Sequence, residues 1–300
     1  MFKRFELHNH TNESDGSLSV NELINYMIDY NVDVVAITDH NTNSGHEKCK
    51  KILKNSNLLI EAIYGVELTT YYGHILCLNL SEYVNWEDIN YHKPEILFEK
   101  IKKIGGLVGI AHPFSKGAPF AKGCKWEMNI NDYSLVDFIE IFNNPEPTLV
   151  NEKALNLWEE LVINGEKLAM TTGMDLHGKG SLDKGFYTYV KVDENEDVDK
   201  ALEKAIKNCS TFISKIDVFE GYIDGGLRFR FYPMSKDYNK DNLIICVTSK
   251  NFSLCEKYGK DMVIDLSDKD IECGDAIVIK VYEDRVGIEN LLAISPVIYY

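Results

Sequence analysis

Short apolar runs alternate with amphipathic segments over residues 4–182, and this alternation constrains the fold more than any other feature. The runs are rich in Val and Ile, as buried strands are, and they are Val32–Thr38, Asn57–Leu68, Gly73–Leu80, Leu107–Ala111, Asp137–Phe142 and Lys167–Thr172. Three segments between these runs have helical periodicity and a capping residue or a proline near the start, and we predict helices there: Ser19–Tyr30, Pro94–Ile104 and Pro147–Asn164. Strands and helices in alternation predict a mostly parallel α/β sheet or barrel.

The pattern changes after Lys215. Before that point, Gly185–Val192 still has the pattern of a strand and Asp197–Asn208 that of a helix. Beyond it, strand-like runs are separated by Gly and Asp turns, and they are Val218–Phe231, Asn242–Thr248, Met262–Leu266, Asp275–Glu283 and Ala293–Tyr300. We therefore expect an α/β domain over residues 1–217 and a small antiparallel β unit over residues 218–300.

The balance of charge is acidic. The 300 residues include 47 Asp and Glu against 32 Lys and Arg, which gives a net charge of −15. Proteins that coat duplex nucleic acid show the opposite balance, because they neutralise phosphates. The composition therefore excludes a protein that coats duplex nucleic acid without sequence specificity. A pocket for a single phosphate is compatible with this composition, provided that nearby groups supply positive charge.

Targeting features are missing from the sequence. No apolar stretch of about 18 residues indicates a membrane span, and the first residues do not have the pattern of a signal peptide. The seven cysteines are scattered and contain no Cys-x-x-Cys pair, which predicts free thiols in a reducing compartment. We therefore expect a cytoplasmic protein that has no membrane partner.

All eight histidines lie at or before position 177. His8 and His10 follow the first strand, where residues i and i+2 share one face, so both imidazoles can reach one ion. Asp175 and His177 repeat this spacing. Similar polar residues stand at the ends of the other runs: Asp39, His40, Glu67, His74, His112, Glu140 and Asn143. Because strand ends converge on one face of an α/β fold, we expect a metal site there, and imidazole with carboxylate suits Zn, Mn or Fe.

Each motif taken alone also has a structural interpretation. Asp39 is a good helix-capping residue, the proline after His112 also stops a strand ladder, and Asp175 also fits a turn. Their joint placement at strand ends is what favours a metal site. The remaining histidines, His46 and His92, match no motif and are expected at the surface or at helix caps.

Eight motifs follow one another in a fixed order: His8-x-His10, Asp15-Gly16, Thr38-Asp39-His40, Gly65-x-Glu67, Gly73-His74-x-Leu76, His112-Pro113, Glu140-x-x-Asn143 and Asp175-x-His177. In this order they resemble the polymerase and histidinol phosphatase (PHP) family. The similarity is strongest to the small stand-alone metal-dependent phosphoesterases of that family. It covers residues 5–178, and Met174 stands where many members have serine.

The resemblance implies a distorted (β/α)7 barrel with a trinuclear metal centre at the carboxyl ends of its strands. Nine residues would hold three divalent ions (Mn, Zn or Fe): His8, His10 and Asp175 the first, His74 and His112 the second, and Asp15, His40 and His177 the third, with Glu67 bridging the first two. Three further residues would orient these ligands: Asp39, Glu140 and Asn143.

This centre would attract a phosphate in spite of the acidic surface. Three divalent ions and the carboxylates of Asp15, Glu67 and Asp175 sum to about +3 with neutral imidazoles. The implied mechanism is metal-assisted hydrolysis, in which hydroxide between the ions that Glu67 bridges attacks phosphorus. His177 and a metal-bound water are the candidate proton donors to the leaving group. Lys116 is a candidate contact for a second phosphate, and a solvated loop lysine is the alternative.

The expected substrates are small phosphorylated molecules or short oligonucleotides. The leading hypothesis is a phosphoesterase that acts on nucleotide 3′,5′-bisphosphates, or on the 5′ ends of short oligonucleotides as a 5′-3′ exonuclease does. A histidinol-phosphate phosphatase is the first alternative. A metal-dependent sensor or accessory binding module is the second, although the complete set of ligands weighs against an inactive module.

Overall fold

The computed structural model describes residues 1–80, 82–117, 122–180, 182, 185–216, 218–232, 242–259 and 262–300, with the backbone alone for residues 231 and 232. The α-helices in these ranges are α1 (Val20–Asp29), α2 (Ser44–Lys54), α3 (Glu95–Lys103), α4 (Thr148–Ile163) and α5 (Val198–Lys207). The first ten strands are β1 (Phe2–Glu6), β2 (Val34–Ile37), β3 (Glu61–Tyr64), β4 (Val66–Thr70), β5 (Gly73–Leu78), β6 (Leu107–Ile110), β7 (Phe138–Asn143), β8 (Ala169–Gly173), β9 (Tyr187–Lys191) and β10 (Phe212–Ser214). The following strands are β11 (Val218–Ile223), β12 (Leu227–Tyr232), β13 (Leu243–Ser249), β14 (Phe252–Lys257), β15 (Val263–Ile264), β16 (Ala276–Glu283), β17 (Leu291–Ile294) and β18 (Ile298–Tyr299).

Local sequence signals account for most of the helices. Ser19 caps α1 and exchanges hydrogen bonds with Glu22 in a reciprocal capping box, and prolines directly precede α3 and α4. These helices, together with α5, confirm the predicted periodic segments. Helix α2 was not predicted, because it buries only the narrow face formed by Gly45, His46 and Cys49.

The strands form mixed sheets. The largest runs in the order β14-β13-β16-β17-β10-β9-β1-β2-β3, with β18 beside β16. A second sheet runs β4-β5-β6-β7-β8, and a small third sheet joins β11, β12 and β15. Strands β1, β2 and β3 are parallel, as are β6, β7 and β8, whereas β4, β5 and β6 pair antiparallel.

The predicted single run Asn57–Leu68 is two strands divided at Gly65. Strand β3 pairs with β2, and after Gly65 the chain turns to pair β4 with β5. A Cβ at Gly65 would collide with the carbonyl oxygen of Cys77, so the two sheets approach closely because this residue is glycine. Two isolated bridges also join the sheets, between His40 and Glu67 and between Asn9 and Leu176. Among the described residues the continuous ladders remain separate sheets, and the closed (β/α)7 barrel stays a prediction.

The C-terminal strands extend the sheet of the first domain. Strand β17 pairs with β10, and β10 pairs with β9, so the ladder crosses the expected boundary between residues 217 and 218. The core is shared as well, because Trp158 and Met170 belong to the same buried apolar cluster as Val278 and Ile294. The C-terminal unit is antiparallel, as predicted, and it packs on the first domain through a common core.

One cysteine prediction is wrong. Cys246 and Cys255 lie directly opposite one another on β13 and β14 and form a disulfide, with their Cα atoms 4.1 Å apart. Strand register determines this pairing, and spacing along the sequence does not reveal register. Cys49, Cys77, Cys124, Cys209 and Cys273 are free thiols. Within the described ranges, no helix is both long and apolar enough to cross a membrane.

Candidate metal centre

The nine predicted ligands converge at the ends of neighbouring strands. His8 and His10 follow β1, and His40 follows β2. Glu67 on β4 and His74 on β5 are diagonal neighbours in their hairpin, where Glu67 is opposite Leu76 and His74 is opposite Thr69. His112 follows β6, and Asp175 and His177 follow β8. The clustered residues are His8, His10, Asp15, His40, Glu67, His74, His112, Asp175 and His177, with Glu140 beside them.

Glu67 lies at the centre of this cluster and is completely buried. Its Oε1 lies 2.8 Å from His74 Nδ1 and 3.0 Å from His112 Nε2. Its Oε2 lies 3.2 Å from Nε2 of both His8 and His10 and 2.9 Å from His40 Nδ1. The two oxygens of one carboxylate therefore face two separate groups of imidazoles, which is the arrangement that a bridging ligand requires.

Asp175 completes the group around His8 and His10. Its Oδ1 lies 3.0 Å from His10 Nε2 and 3.5 Å from His8 Nε2. Asn143 donates a side-chain hydrogen bond of 3.2 Å to Oδ2 of Asp175. The backbone of Asp175 has a φ of 46° and that of His112 has a φ of 24°. Such conformations are uncommon for residues other than glycine, and they cluster at functional sites where the surroundings enforce them.

The third predicted group is the most exposed. Asp15 Oδ1 lies 3.3 Å from His177 Nε2 and 3.6 Å from His40 Nε2. The exposed fractions of the side chains are 59% for Asp15, 40% for His177 and 21% for His40. The His10 ring lies between the other two imidazoles, with ring centroids 4.1 Å from His40 and 4.3 Å from His177. This group lines the cavity together with His74, His112 and Asp175, whereas His8, His10 and Glu67 are not among the lining residues.

Glu140 contacts the ligands from behind. Its Oε1 lies 3.0 Å from His8 Nδ1, and its Oε2 accepts the backbone N–H of His112 at 2.9 Å. A Cβ at Gly173 would collide with Glu140 and with His8, so glycine allows β8 to pass this close. Glu140 thus makes the contacts expected of a residue that orients two ligands.

Asp39 organises the loop that carries Asp15. Its Oδ1 accepts the backbone N–H of Thr11 at 2.7 Å and the hydroxyl of Ser14 at 2.7 Å. Its Oδ2 accepts the hydroxyl of Thr11 at 2.9 Å. Because Asp39 is buried and fully engaged, it acts on the position of Asp15 through this loop.

Glu6 is a buried carboxyl group that the motifs did not reveal. Its Oε1 accepts the backbone N–H of Met174 at 2.9 Å and that of His8 at 3.3 Å. Burial raises the pKa of Glu6 to about 8. The alternation of a strand gives the missed signal, because Glu6, His8 and His10 are spaced by two and share one face.

Opposite charges dominate the protonation of the buried groups. Burial alone would lower the pKa of His8, but Glu67, Glu140 and Asp175 together raise it well above its ordinary value. Burial likewise opposes protonation of His10 and His112, yet the neighbouring carboxylates of Glu67 and Asp175 raise the pKa of each to about 9. Burial favours the neutral form of Glu67, yet the histidines His8 and His74 hold its pKa well below the usual range. Protons therefore compete with cations for these imidazoles.

The donor atoms fit bound divalent ions. His8 Nε2, His10 Nε2, Glu67 Oε2 and Asp175 Oδ1 are buried and have no hydrogen-bond partner within the described part of the chain. One ligand atom from each of these four residues lies within 4.8 Å of the others. A buried polar atom without a partner costs about 1–3 kcal/mol, and one shared cation would satisfy all four atoms.

A cavity of 1480 Å³ opens beside the third group. Asp15, His40, His74, His112 and His177 line one end, and the wall continues through Lys116, Glu146 and the start of α4. The sequence motifs gave no signal for this wall beyond Lys116. His46, in contrast, lies outside the centre and is buried, where its Nε2 contacts the carbonyl oxygen of Gly65 at 2.8 Å; the prediction of a surface or capping position is wrong. His92 is exposed, as predicted.

Comparison with known proteins now adds to this geometry. The PHP domain family model matches residues 6–220. This chain belongs to the PHP family. The crystal structure of a two-domain protein from Bacteroides vulgatus, which contains a predicted PHP-like metal-dependent phosphoesterase, matches with a TM-score of 0.55. The match covers 99% of this PHP chain and 95% of the Bacteroides vulgatus chain, with 16% sequence identity. Because the identity is this low, the match shows a common fold and nothing more.

Two relatives share parts of the PHP chain at higher identity. An uncharacterised protein of Methanocaldococcus jannaschii is 39% identical over 127 residues, which are 42% of this chain and 67% of that protein. The 5′-3′ exoribonuclease Rnm of Escherichia coli is 34% identical over 80 residues, which are 25% of this chain and 27% of the exoribonuclease. The match to the exoribonuclease thus spans about a quarter of each protein.

Proposed function

We propose that this PHP chain is a metal-dependent phosphoesterase that hydrolyses phosphomonoesters. The observation that carries the proposal is the position of Glu67. Its two carboxylate oxygens face different histidine pairs, His74 with His112 and His8 with His10, within 3.2 Å. A buried carboxylate needs compensating positive charge, which divalent ions held by the surrounding imidazoles would supply. Paired metal ions are a recurrent device of phosphoester hydrolysis.

The ligand assignment follows the three groups of side chains. His8, His10 and Asp175 would hold one divalent ion, His74 and His112 a second, and Asp15, His40 and His177 a third, with Glu67 shared by the first two. Mn, Zn and Fe all suit imidazole with carboxylate. Bound there, the ions would supply Lewis-acid charge for the phosphoryl oxygens and acidify water.

His177 has two candidate roles, metal ligand and proton donor, and they are alternatives because both use Nε2. Its Nδ1–H donates to the backbone carbonyl oxygen of Asp175 at 2.8 Å. The neutral ring therefore has its lone pair on Nε2, which faces Asp15 and suits a ligand. As a proton donor to the leaving group, His177 would act from Nε2 in its protonated form. Its position at the mouth of the cavity supports contact with that leaving group.

The proposed substrates are nucleotide 3′,5′-bisphosphates or the 5′ ends of short oligonucleotides. The similarity to an exoribonuclease over 80 residues supports this substrate class. The cavity supports it as well, since 1480 Å³ exceeds the space that one phosphate needs. We also propose that β1–β8 approximate the (β/α)7 barrel, which the bridges of Asn9 with Leu176 and of His40 with Glu67 support.

The test is inorganic phosphate release from adenosine 3′,5′-bisphosphate by the Mn²⁺-reconstituted full chain. We expect turnover that falls by at least a thousandfold in Glu67→Gln, because this change removes the charge that both ion positions share. Glu127→Gln, which alters an acid on the protein surface, is the matched control and should retain turnover. Wild-type turnover by Glu67→Gln would contradict the proposal.

A parallel assay with histidinol phosphate separates the first alternative. A higher kcat/KM on histidinol phosphate than on the bisphosphate would identify a histidinol-phosphate phosphatase. Failure to release phosphate from either substrate, with metal bound, would favour the sensor or accessory module.

A further inference from the structure

The hairpin that carries two of the predicted ligands ends in a pair of tyrosines. Glu67 lies on β4 and His74 on β5, and the turn between these strands consists of Tyr71 and Tyr72. Tyr71 is three residues from His74, and three residues of chain span at most about 11 Å. The tip of this hairpin therefore lies close to the candidate metal centre.

The tip belongs to an exposed cluster of aromatic rings. The Tyr72 ring makes edge-to-face contacts with Tyr71 and Tyr91, at centroid distances of 5.5 Å and 5.3 Å. The Tyr91 ring in turn lies 4.8 Å from the ring of His92, which is exposed. Tyr72 is half-buried among its neighbours, whereas Tyr71 is 64% exposed. Packing thus accounts for Tyr72 and leaves most of the Tyr71 ring accessible to a ligand.

Contacts with a second segment fix the position of the tip. The carbonyl oxygen of Tyr72 accepts the backbone N–H of Glu127 at 2.7 Å. The Trp126 ring lies directly against Gly73, where a Cβ would be 2.9 Å from its Cε3 atom. A surface that is already ordered loses less conformational entropy when a ligand binds, so this support suits a binding site.

Lysines bring positive charge to the aromatic cluster. Lys122 Nζ lies 5.3 Å from the centroid of the Tyr71 ring, which is within the range of a cation–π contact. Lys122 also pairs with Glu127, whereas Lys93 and Lys125 are exposed and have no ion-pair partner within the described ranges. Accessible aromatic rings beside cations are the combination with which proteins bind single-stranded nucleic acid.

The cluster also adjoins the cavity. Cys124 lines the cavity, and Lys122, two residues before it, lies over Tyr71. We propose that Tyr71 is a stacking site for an unpaired base of an oligonucleotide whose reacting phosphate lies at the candidate metal centre. The inference rests on the proposed phosphoesterase function and deepens it, because a base that stacks outside the cavity favours oligonucleotides over mononucleotides.

The test compares two 5′-phosphorylated tetranucleotides as substrates of the Mn²⁺-reconstituted full chain. One is an adenylate tetramer, and the other is the same tetramer without bases on its last three residues. The ratio of their kcat/KM values for chain shortening therefore measures what these bases contribute. We expect Tyr71→Ala to lower this ratio at least fivefold, which is the lower end of the effect of base–aromatic stacking. A ratio within twofold of the wild type overturns the proposal.

Two further variants serve as controls. Tyr71→Phe retains the aromatic ring and should keep the wild-type ratio. Tyr83→Ala removes a tyrosine of similar exposure, 59%, that lies beyond the other end of β5, and it should also keep the ratio. An equal loss in Tyr71→Ala and Tyr83→Ala would overturn the assignment of a specific site to Tyr71.

A binding measurement separates failure of this site from failure of the proposed function. If the wild type hydrolyses neither tetramer, calorimetric titration with each tetramer still measures the contribution of the bases. A Kd for the adenylate tetramer at least fivefold weaker in Tyr71→Ala, with an unchanged Kd for the other tetramer, would support the stacking site while the phosphoesterase proposal fails. Equal Kd values of the wild type and Tyr71→Ala, an equal loss for both tetramers, or no binding by the wild type would overturn it.

Discussion

Lys280 on β16 contacts both carboxylate oxygens of Glu159 on α4, at 2.8 and 2.5 Å. The pair joins the C-terminal unit to the helix whose first turns line the cavity beside the candidate metal centre. Only 13% of the Lys280 side chain and 11% of the Glu159 side chain are exposed. Removing one partner of a pair this buried strongly destabilises the protein, because the other charge is left without compensation.

We therefore expect Lys280→Met to lower the free energy of unfolding by about 3 kcal/mol. Glu159→Leu/Lys280→Met removes both charges and should recover most of that loss. Urea denaturation of the two variants and the wild type measures the difference. An exposed pair, Lys100 with Asp88, provides the control, since Lys100→Met should change stability by less than about 1 kcal/mol. Equal stability of Lys280→Met and the wild type would show that the pair contributes nothing.

Truncation after residue 217 should destroy the fold of the metal centre. It removes β17, which pairs with β10, and exposes Trp158 and Met170 of the shared core. We expect a truncated chain that shows no cooperative thermal unfolding and binds less Mn²⁺ per chain than the full chain. A truncated chain that unfolds cooperatively with unchanged Mn²⁺ stoichiometry would show instead that residues 1–217 form an independent domain.

Asp39→Asn tests whether the loop of Asp15 is prepared for metal binding. The NH₂ group that replaces one carboxylate oxygen cannot accept a hydrogen bond. Asp39→Asn therefore keeps either the bonds that Oδ1 accepts from the Thr11 N–H and the Ser14 hydroxyl or the bond that Oδ2 accepts from the Thr11 hydroxyl, and loses the other. Changes in residues that orient ligands typically weaken metal binding by about 10–100-fold, and we expect that loss for one Mn²⁺ per chain in equilibrium dialysis. Asp33→Asn, at an exposed position that accepts the backbone N–H of Arg4, is the control. Unchanged affinity in Asp39→Asn would assign Asp39 no role in positioning Asp15.

The sequence predicted which polar side chains lie together better than it predicted the pairing of strands. The spacing of His8 and His10 by two and the placement of polar residues at strand ends predicted one cluster on a single face, and the resemblance to the PHP family placed Glu67 between its ligands. Local signals such as the Ser19–Glu22 capping box fixed where helices begin. These features depend on residues close to one another in the chain, and for that reason they can be deduced without the fold.

Features that depend on distant contacts could not be predicted in the same way. The disulfide between Cys246 and Cys255 follows from strand register, and the shared core of Trp158 with Val278 follows from sheet order. Lys153 joins the cavity only because α4 begins beside the loop that follows β7. His46 was expected at the surface or at a helix cap because it matches no motif, but helix α2 turns this residue toward Gly65.

His46 gives the protein a measurable sensitivity to acid. Burial lowers the pKa of His46 below its ordinary value of 6.5, and the contact with the Gly65 carbonyl offsets this only in part. The unfolded chain therefore binds a proton that the folded chain resists, and stability falls as the pH drops below 6.5. His46→Gln cannot titrate, so the stability difference between the wild type and His46→Gln should shrink or reverse between pH 7.5 and about pH 5. Urea denaturation at a series of pH values provides the measurement, with His92→Gln as the exposed control. Parallel curves of stability against pH for the wild type and His46→Gln would contradict the prediction, because His46 would then titrate alike in the folded and the unfolded chain.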